Sequence, residues 1–205
     1  GVLGRPKSLK TILLWPRTYE YFNRNNWAGK IKDSHGNWVL DSVASNATAH
    51  YLHNMLFVLG EEIDRSAVPE SVTAELYRAN EIENYDTVAM RVKTVDNVQI
   101  MFFATHAVNN TAGPIFRYEF EKADVVYDIG NKKGIVAMFH DGGERAYGDP
   151  NRDQTAKLWA TLDAIDGVGA VPCTPEAALP HTICINGAQQ SPGSIANFPA
   201  SLVKE

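Results

Sequence analysis

Cysteine is scarce in this chain of 205 residues: there are two, Cys173 and Cys184. Two thiols cannot staple a small secreted domain, and they read as reduced cysteines of a cytoplasmic protein. Long apolar runs are missing too. No stretch nears the roughly 18 residues that a membrane span needs, and no basic segment leads into an apolar one. Neither a membrane span nor a signal peptide is therefore expected. A basic excess is also missing, since 19 Lys and Arg against 24 Asp and Glu leave a net charge of −5. A nucleic-acid surface usually shows as a basic stripe, so none is expected here. The chain opens Gly1-Val2-Leu3 without methionine, which reads as a piece of a longer protein. What remains is 44% apolar and 21% charged, the composition of one globular domain with a sizeable core.

Residues 9–15 read as a short apolar strand closed by Pro16. No period follows over residues 16–45. That stretch is instead dense in Arg17, Tyr19, Tyr21, Phe22, Arg24, Asn25, Asn26 and Trp27. A long irregular segment inside a compact domain is often functional, and flat rings beside planar hydrogen-bonding groups suit a sugar site. The spacing of Leu52, Met55, Leu56 and Leu59 predicts a helix over 45–59, capped by Ser45 and stopped by Gly60. Strands are then expected over 72–79, 86–95, 98–107, 115–121, 124–129 and 134–139. Turns at Asp96-Asn97, Lys122-Ala123 and residues 130–133 separate the later ones. Such short connections imply antiparallel neighbours. Two helices close the chain, over 153–165 with Leu158, Leu162 and Ile165 on one stripe, and over 175–190 with Pro180 inside. The expected fold is α+β: an open, largely antiparallel sheet with helices on one face. Both sides of residues 99–104 are apolar, so the other face is expected to be covered by a second subunit.

On the helix that starts near Ser45, Asn46, His50 and His53 share a face turned away from the leucine stripe. This is either a solvated polar face or the wall of a site. Two histidines three apart with no third ligand nearby do not make a metal centre. The glycines of residues 167–172 follow a helix and end in Pro172, so they form a connector and no dinucleotide loop.

Three segments carry a resemblance: Trp15-Pro16-Arg17-Thr18-Tyr19-Glu20-Tyr21-Phe22-Asn23-Arg24-Asn25-Asn26-Trp27-Ala28-Gly29-Lys30, Trp38-Val39-Leu40-Asp41-Ser42, and Asn46-Ala47-Thr48-Ala49-His50-Tyr51. Together with Pro114-Ile115-Phe116-Arg117-Tyr118-Glu119 and Tyr127, they resemble the C-terminal domain of the Gfo/Idh/MocA oxidoreductase family. The resemblance implies a single substrate-binding and oligomerisation domain over residues 1–205. It also implies NAD or NADP on an N-terminal Rossmann domain outside this chain. The chain alone is then expected to bind no coenzyme and to be inactive. His50 corresponds to the histidine of the family's Asp-x-x-x-His motif, and the Asp position is Asn46 here.

The expected substrate is a sugar or cyclitol hydroxyl. His50 would exchange its proton, an ability that imidazole has near neutral pH. Asn46 would hold the substrate, His53 would lie on the same stripe, and Arg17, Tyr21, Arg24, Asn25 and Trp27 would form the wall. Two other outcomes stay open: an NAD-dependent glycosidase or lyase working by transient oxidation, and a non-catalytic sugar-binding or oligomerisation module.

Overall fold

The first strand of the chain lies at the middle of its sheet. The computed structural model describes residues 1–128, 133–151, 153 and 155–203. Among these, nine strands form one sheet in the order β8-β7-β6-β5-β1-β4-β3-β2-β9. They are β1 (Pro6–Leu14), β2 (Pro69–Arg78), β3 (Thr87–Thr94), β4 (Gln99–Thr105), β5 (Ala112–Phe120), β6 (Ala123–Asp128), β7 (Ile135–Phe139), β8 (Glu144–Gly148) and β9 (Ala196–Asn197). β1 runs parallel to β4 and antiparallel to β5. The only other parallel pair in this sheet is β2 with β9. Four helices accompany it: α1 (Tyr19–Phe22), α2 (Ala49–Phe57), α3 (Ala156–Ile165) and α4 (Pro175–Gln190). The α+β expectation is met, and the sheet is mostly antiparallel.

The two faces of the sheet differ. Leu9, Thr11 and Leu13 of β1, Val88, Met90 and Val92 of β3, and Ile100, Phe102 and Ala104 of β4 are buried on one side. Leu52, Met55 and Leu56 of α2 and Cys184, Ile185 and Ala188 of α4 join that core. Burying each of these leucine or methionine side chains contributes roughly 1.5–3 kcal/mol before the cavity cost of losing it. α4 lies close on β2 because Gly187 has no side chain. A Cβ there would stand 2.9 Å from that of Val72, inside any normal contact. On the opposite side the alternation puts Ile12, Phe103 and Ile115 at 38%, 40% and 38% exposure. Within this chain only one face of 99–104 is covered, and the other is left open, as expected of a face kept for a second subunit.

Several boundaries differ for physical reasons. α2 starts at Ala49 and is flanked by Thr48, not Ser45. The Ser45 hydroxyl instead donates to the Leu40 carbonyl at 2.7 Å and accepts from the Ser42 amide, which folds 42–48 into turns ahead of the helix. α2 ends at Phe57, before Gly60. α4 matches its expected span and contains Pro180. α3 carries the expected stripe, but Leu158, Leu162 and Ile165 are 55%, 41% and 75% exposed, so that stripe is not part of the core. β8, β9 and α1 have no counterpart in the sequence reading. Residues 129–132, which include three residues of the expected 130–133 turn and the last residue of its preceding strand, lie outside the described residues. So does residue 154, near the expected helix start.

Candidate functional site

α2 is held by packing on one side, which leaves the other side free for chemistry. Leu52, Met55 and Leu56 face the core, while His50 and Asn54 are exposed. His50, Tyr51, Asn54 and Val58 then form one wall of a cavity of about 380 Å³. The facing wall comes from the late strands, with Pro114, Phe116 and Tyr118 of β5 and Tyr127 of β6. Because β-strand side chains alternate, Phe116 and Tyr118 point to the same face, and register pairs Phe116 with Tyr127. Their rings form a continuous platform. Phe116 stacks on Tyr118 at 4.5 Å between centroids and on Tyr127 at 5.2 Å. Trp15 meets Tyr51 edge-on at 5.6 Å and donates its indole N–H to the Gly113 carbonyl at 3.0 Å.

Burial pushes the Tyr118 phenol up to about 12. Burial also raises Tyr51, and burial together with the carboxylates of Asp149 and Asp128 raises Tyr127. All three phenols therefore stay protonated near neutral pH and can donate hydrogen bonds. A second cleft, about 320 Å³ between β2 and α4, has neither an aromatic ring nor a histidine in its lining. The chemistry favours the first.

The loop residues make a separate group. The guanidinium of Arg24 lies 3.7 Å from the Tyr21 ring centroid and 5.2 Å from that of Trp27, and Arg17 lies 5.0 Å from Tyr21. Arg17, Tyr21, Arg24 and Trp27 are thus brought together in one cation–π stack. Asn25 serves the loop itself: its side-chain oxygen accepts from the amides of Trp27 and Ala28. Neither the stack nor Asn25 lines the cavity beside His50.

Asn46 lies before α2 in a buried polar knot. Its Nδ2 donates to Asp41 Oδ1 at 2.8 Å, and the Gly29 amide donates to Asp41 Oδ2 at 2.6 Å. The φ of +68° at Gly29 suits glycine, and a Cβ there would press on Ile82 at 2.8 Å. Asn84 completes the knot by donating to the Asp41 backbone carbonyl. His53 is turned elsewhere, with Nε2 3.4 Å from the Cys173 sulfur.

The sequence reading missed Asp41, Asn84 and the aromatic platform as features of the site region. The platform had a readable signal, since Phe116 and Tyr118 are two apart on a strand. Asp41 had none, because its partners are 12 and 5 residues away in an aperiodic loop. Among the described residues, no group of three or more His, Cys, Asp or Glu is arranged to hold a metal ion. No helix among them is long and apolar enough to cross a membrane.

No family model matches the sequence, and no curated protein matches it. Solved structures do. UDP-N-acetylglucosamine 3-dehydrogenase GnnA from Acidithiobacillus ferrooxidans superposes with a TM-score of 0.68 at 16% identity over 98% of this chain and 56% of that one. The WlbA dehydrogenase from Bordetella pertussis, in complex with NADH and UDP-GlcNAcA, gives 0.65 at 19% identity over 91% of this chain and 54% of its own. WlbA from Chromobacterium violaceum, with the same ligands, gives 0.69 at 16% identity over 92% and 53%. The chain spans little more than half the length of these structures, and at such identities the likeness is one of fold. In fold, this chain resembles the C-terminal domain of Gfo/Idh/MocA-type oxidoreductases.

Proposed function

We propose that this chain is the substrate-binding domain of an NAD(P)-dependent oxidoreductase that acts on a sugar or cyclitol hydroxyl. The observation that carries this reading is His50, exposed on a rigid helix and facing an aromatic platform across a cavity large enough for a sugar ring. The platform would take the apolar face of the ring, and the protonated phenols, with Asn54, would bind its hydroxyls. His50 would accept the proton of the hydroxyl being oxidised and return it in the reverse direction. Asn46, with one amide N–H committed to Asp41, would offer its side-chain oxygen as an acceptor and its second N–H as a donor. The guanidinium groups of Arg17 and Arg24 would bind more distant parts of the substrate.

The described residues do not fit the coenzyme's pyrophosphate. The segments that lead from a strand into a following helix, residues 15–18, 149–155 and 198–199, contain no glycine, whereas a dinucleotide cradle needs a glycine-rich turn between a strand end and a helix start. A nicotinamide held by a separate domain would take the hydride. That role falls outside this chain, as it does in the reading that the chain alone does not turn over. The uncovered sheet face bearing Ile12, Phe103 and Ile115 is proposed as the subunit contact.

The test uses the full-length parent with its coenzyme domain. His50→Ala should cut turnover about 10²–10⁴-fold with the fold intact, and His53→Ala should do much less. Small and equal effects at both positions would remove His50 from the chemistry. Tight NAD(P) binding by the isolated chain would remove the division of labour.

A further inference from the structure

A cysteine–histidine contact lies where α2 meets the segment entering α4. Cys173 and His53 are 120 residues apart in sequence, yet Sγ and Nε2 approach to 3.4 Å. The two cysteines of the chain are in opposite environments. Cys184 is fully buried, and burial pushes its thiol up to about 12. Cys173 is exposed. It also directly precedes Thr174, the N-cap of the 16-residue α4, whose hydroxyl accepts from the Ala177 amide.

Besides Cys173, the His53 ring meets that of Phe57 at 5.7 Å between centroids. Its Nδ1 is buried and has no hydrogen-bond partner among the described residues. A buried ring nitrogen left unpaired is costly, so the orientation that serves Cys173 calls for an explanation. Burial, and to a lesser degree the neighbouring His50, lower the pKa of this ring. Near neutral pH the imidazole is therefore uncharged, and in the tautomer with its proton on Nδ1 the Nε2 lone pair faces the thiol.

We propose that Cys173 is a hydroperoxide-reactive thiol and that His53 is its base. The thiol proton moves to His53 Nε2 as the sulfur attacks the terminal oxygen of ROOH. The S–O bond forms, the O–O bond breaks, and the departing RO⁻ takes the proton back from the imidazolium. The sulfur is oxidised by two electrons and the peroxide is reduced, so Cys–SH and ROOH give Cys–SOH and ROH. Cys184 does not resolve the product within the chain. It lies 11 residues further along α4, about 16 Å by helical rise, and its side chain is buried. The sulfenic acid therefore waits for a thiol from outside.

Hydrogen peroxide is the probe, with dimedone trapping read by mass spectrometry on the 205-residue chain. The adduct is expected at Cys173 and not at Cys184. His53→Gln should slow its formation by about 10²-fold near neutral pH, with circular dichroism unchanged. Equal rates in the two proteins, or labelling of Cys184 as fast as of Cys173, would overturn the proposal. If His53→Gln does not fold, the wild-type pH profile decides. The groups facing His53 are His50 on α2, His181 on α4 and Cys173 itself. With His53 as base, the rate falls on acidification with a break in the histidine range. A rate that follows thiol ionisation alone, without that break, rejects the base.

Discussion

Asn46 and Asp41 face each other with the amide nitrogen donating to the carboxylate at 2.8 Å. A carboxylate can only accept, so this contact fixes which end of the Asn46 amide points outward. The other oxygen of Asp41 takes the Gly29 amide. One buried side chain thus ties the irregular loop to the turn that launches α2.

Removing that tie should loosen both segments. Asp41→Ala leaves the Gly29 amide and the Asn46 side chain without their acceptor, and the expected loss is about 1–3 kcal/mol of folding stability. Urea unfolding measures it. A midpoint unchanged from wild type would mean that the loop is held by other contacts.

The platform makes a prediction about affinity rather than stability. Phe116 lies between Tyr118 and Tyr127, so Phe116→Leu keeps an apolar side chain but removes the central ring. Sugar binding by the parent enzyme should weaken by about threefold to tenfold, the range expected for one aromatic contact. Calorimetric titration reads this directly, and an unchanged Kd would place the ligand off the platform.

Legibility tracked periodicity. β3, β4 and β6 alternate in burial, and β3 turns tightly into β4 and β5 into β6, so their existence and antiparallel pairing could be read from the residues. β8 could not, because all five of its residues are exposed and no apolar alternation marks it. α3 shows the limit of an apolar stripe as a signal, since Leu158, Leu162 and Ile165 have the right spacing yet remain largely in solvent. His50 was visible because it falls on the helix face opposite the leucines. The Cys173–His53 contact was not, because nothing local couples positions so far apart.

Acidification should destabilise the chain. Burial is the main cause that lowers the pKa of His106 and of His181 below the ordinary histidine value. The unfolded chain takes up protons at these rings below about pH 6.5, and the folded chain resists until lower pH. The unfolded state therefore binds more protons in that window, and stability falls as pH drops through it. Urea midpoints measured from neutral to mildly acid pH check the sign. A midpoint that rises on acidification would contradict it.

The uncovered sheet face can be tested by charge. Ile12 pairs with Phe103 on one side and with Ile115 on the other, which makes an apolar row across three central strands. Phe103→Glu should leave the fold intact and shift the protein from oligomer to monomer in sedimentation velocity. A wild-type chain that is already monomeric at every accessible concentration would leave the face without a partner.

The placement of β1 sets the order in which the molecule can be completed. β2 to β4 form one meander and β5 to β8 another, each closed by local turns, and β1 alone bridges them. Its partners are far along the chain: Ser8 pairs with Gln99, and Leu9 with Tyr118. Closing such distant pairs costs loop entropy before any contact repays it. The aromatic platform belongs to the second meander, while α4 packs on β2 and α2 packs on α4 and β1. The cavity therefore has one wall on the second meander and the other on a helix seated on β1 and α4, so it is complete only when β1 joins the two halves of the sheet.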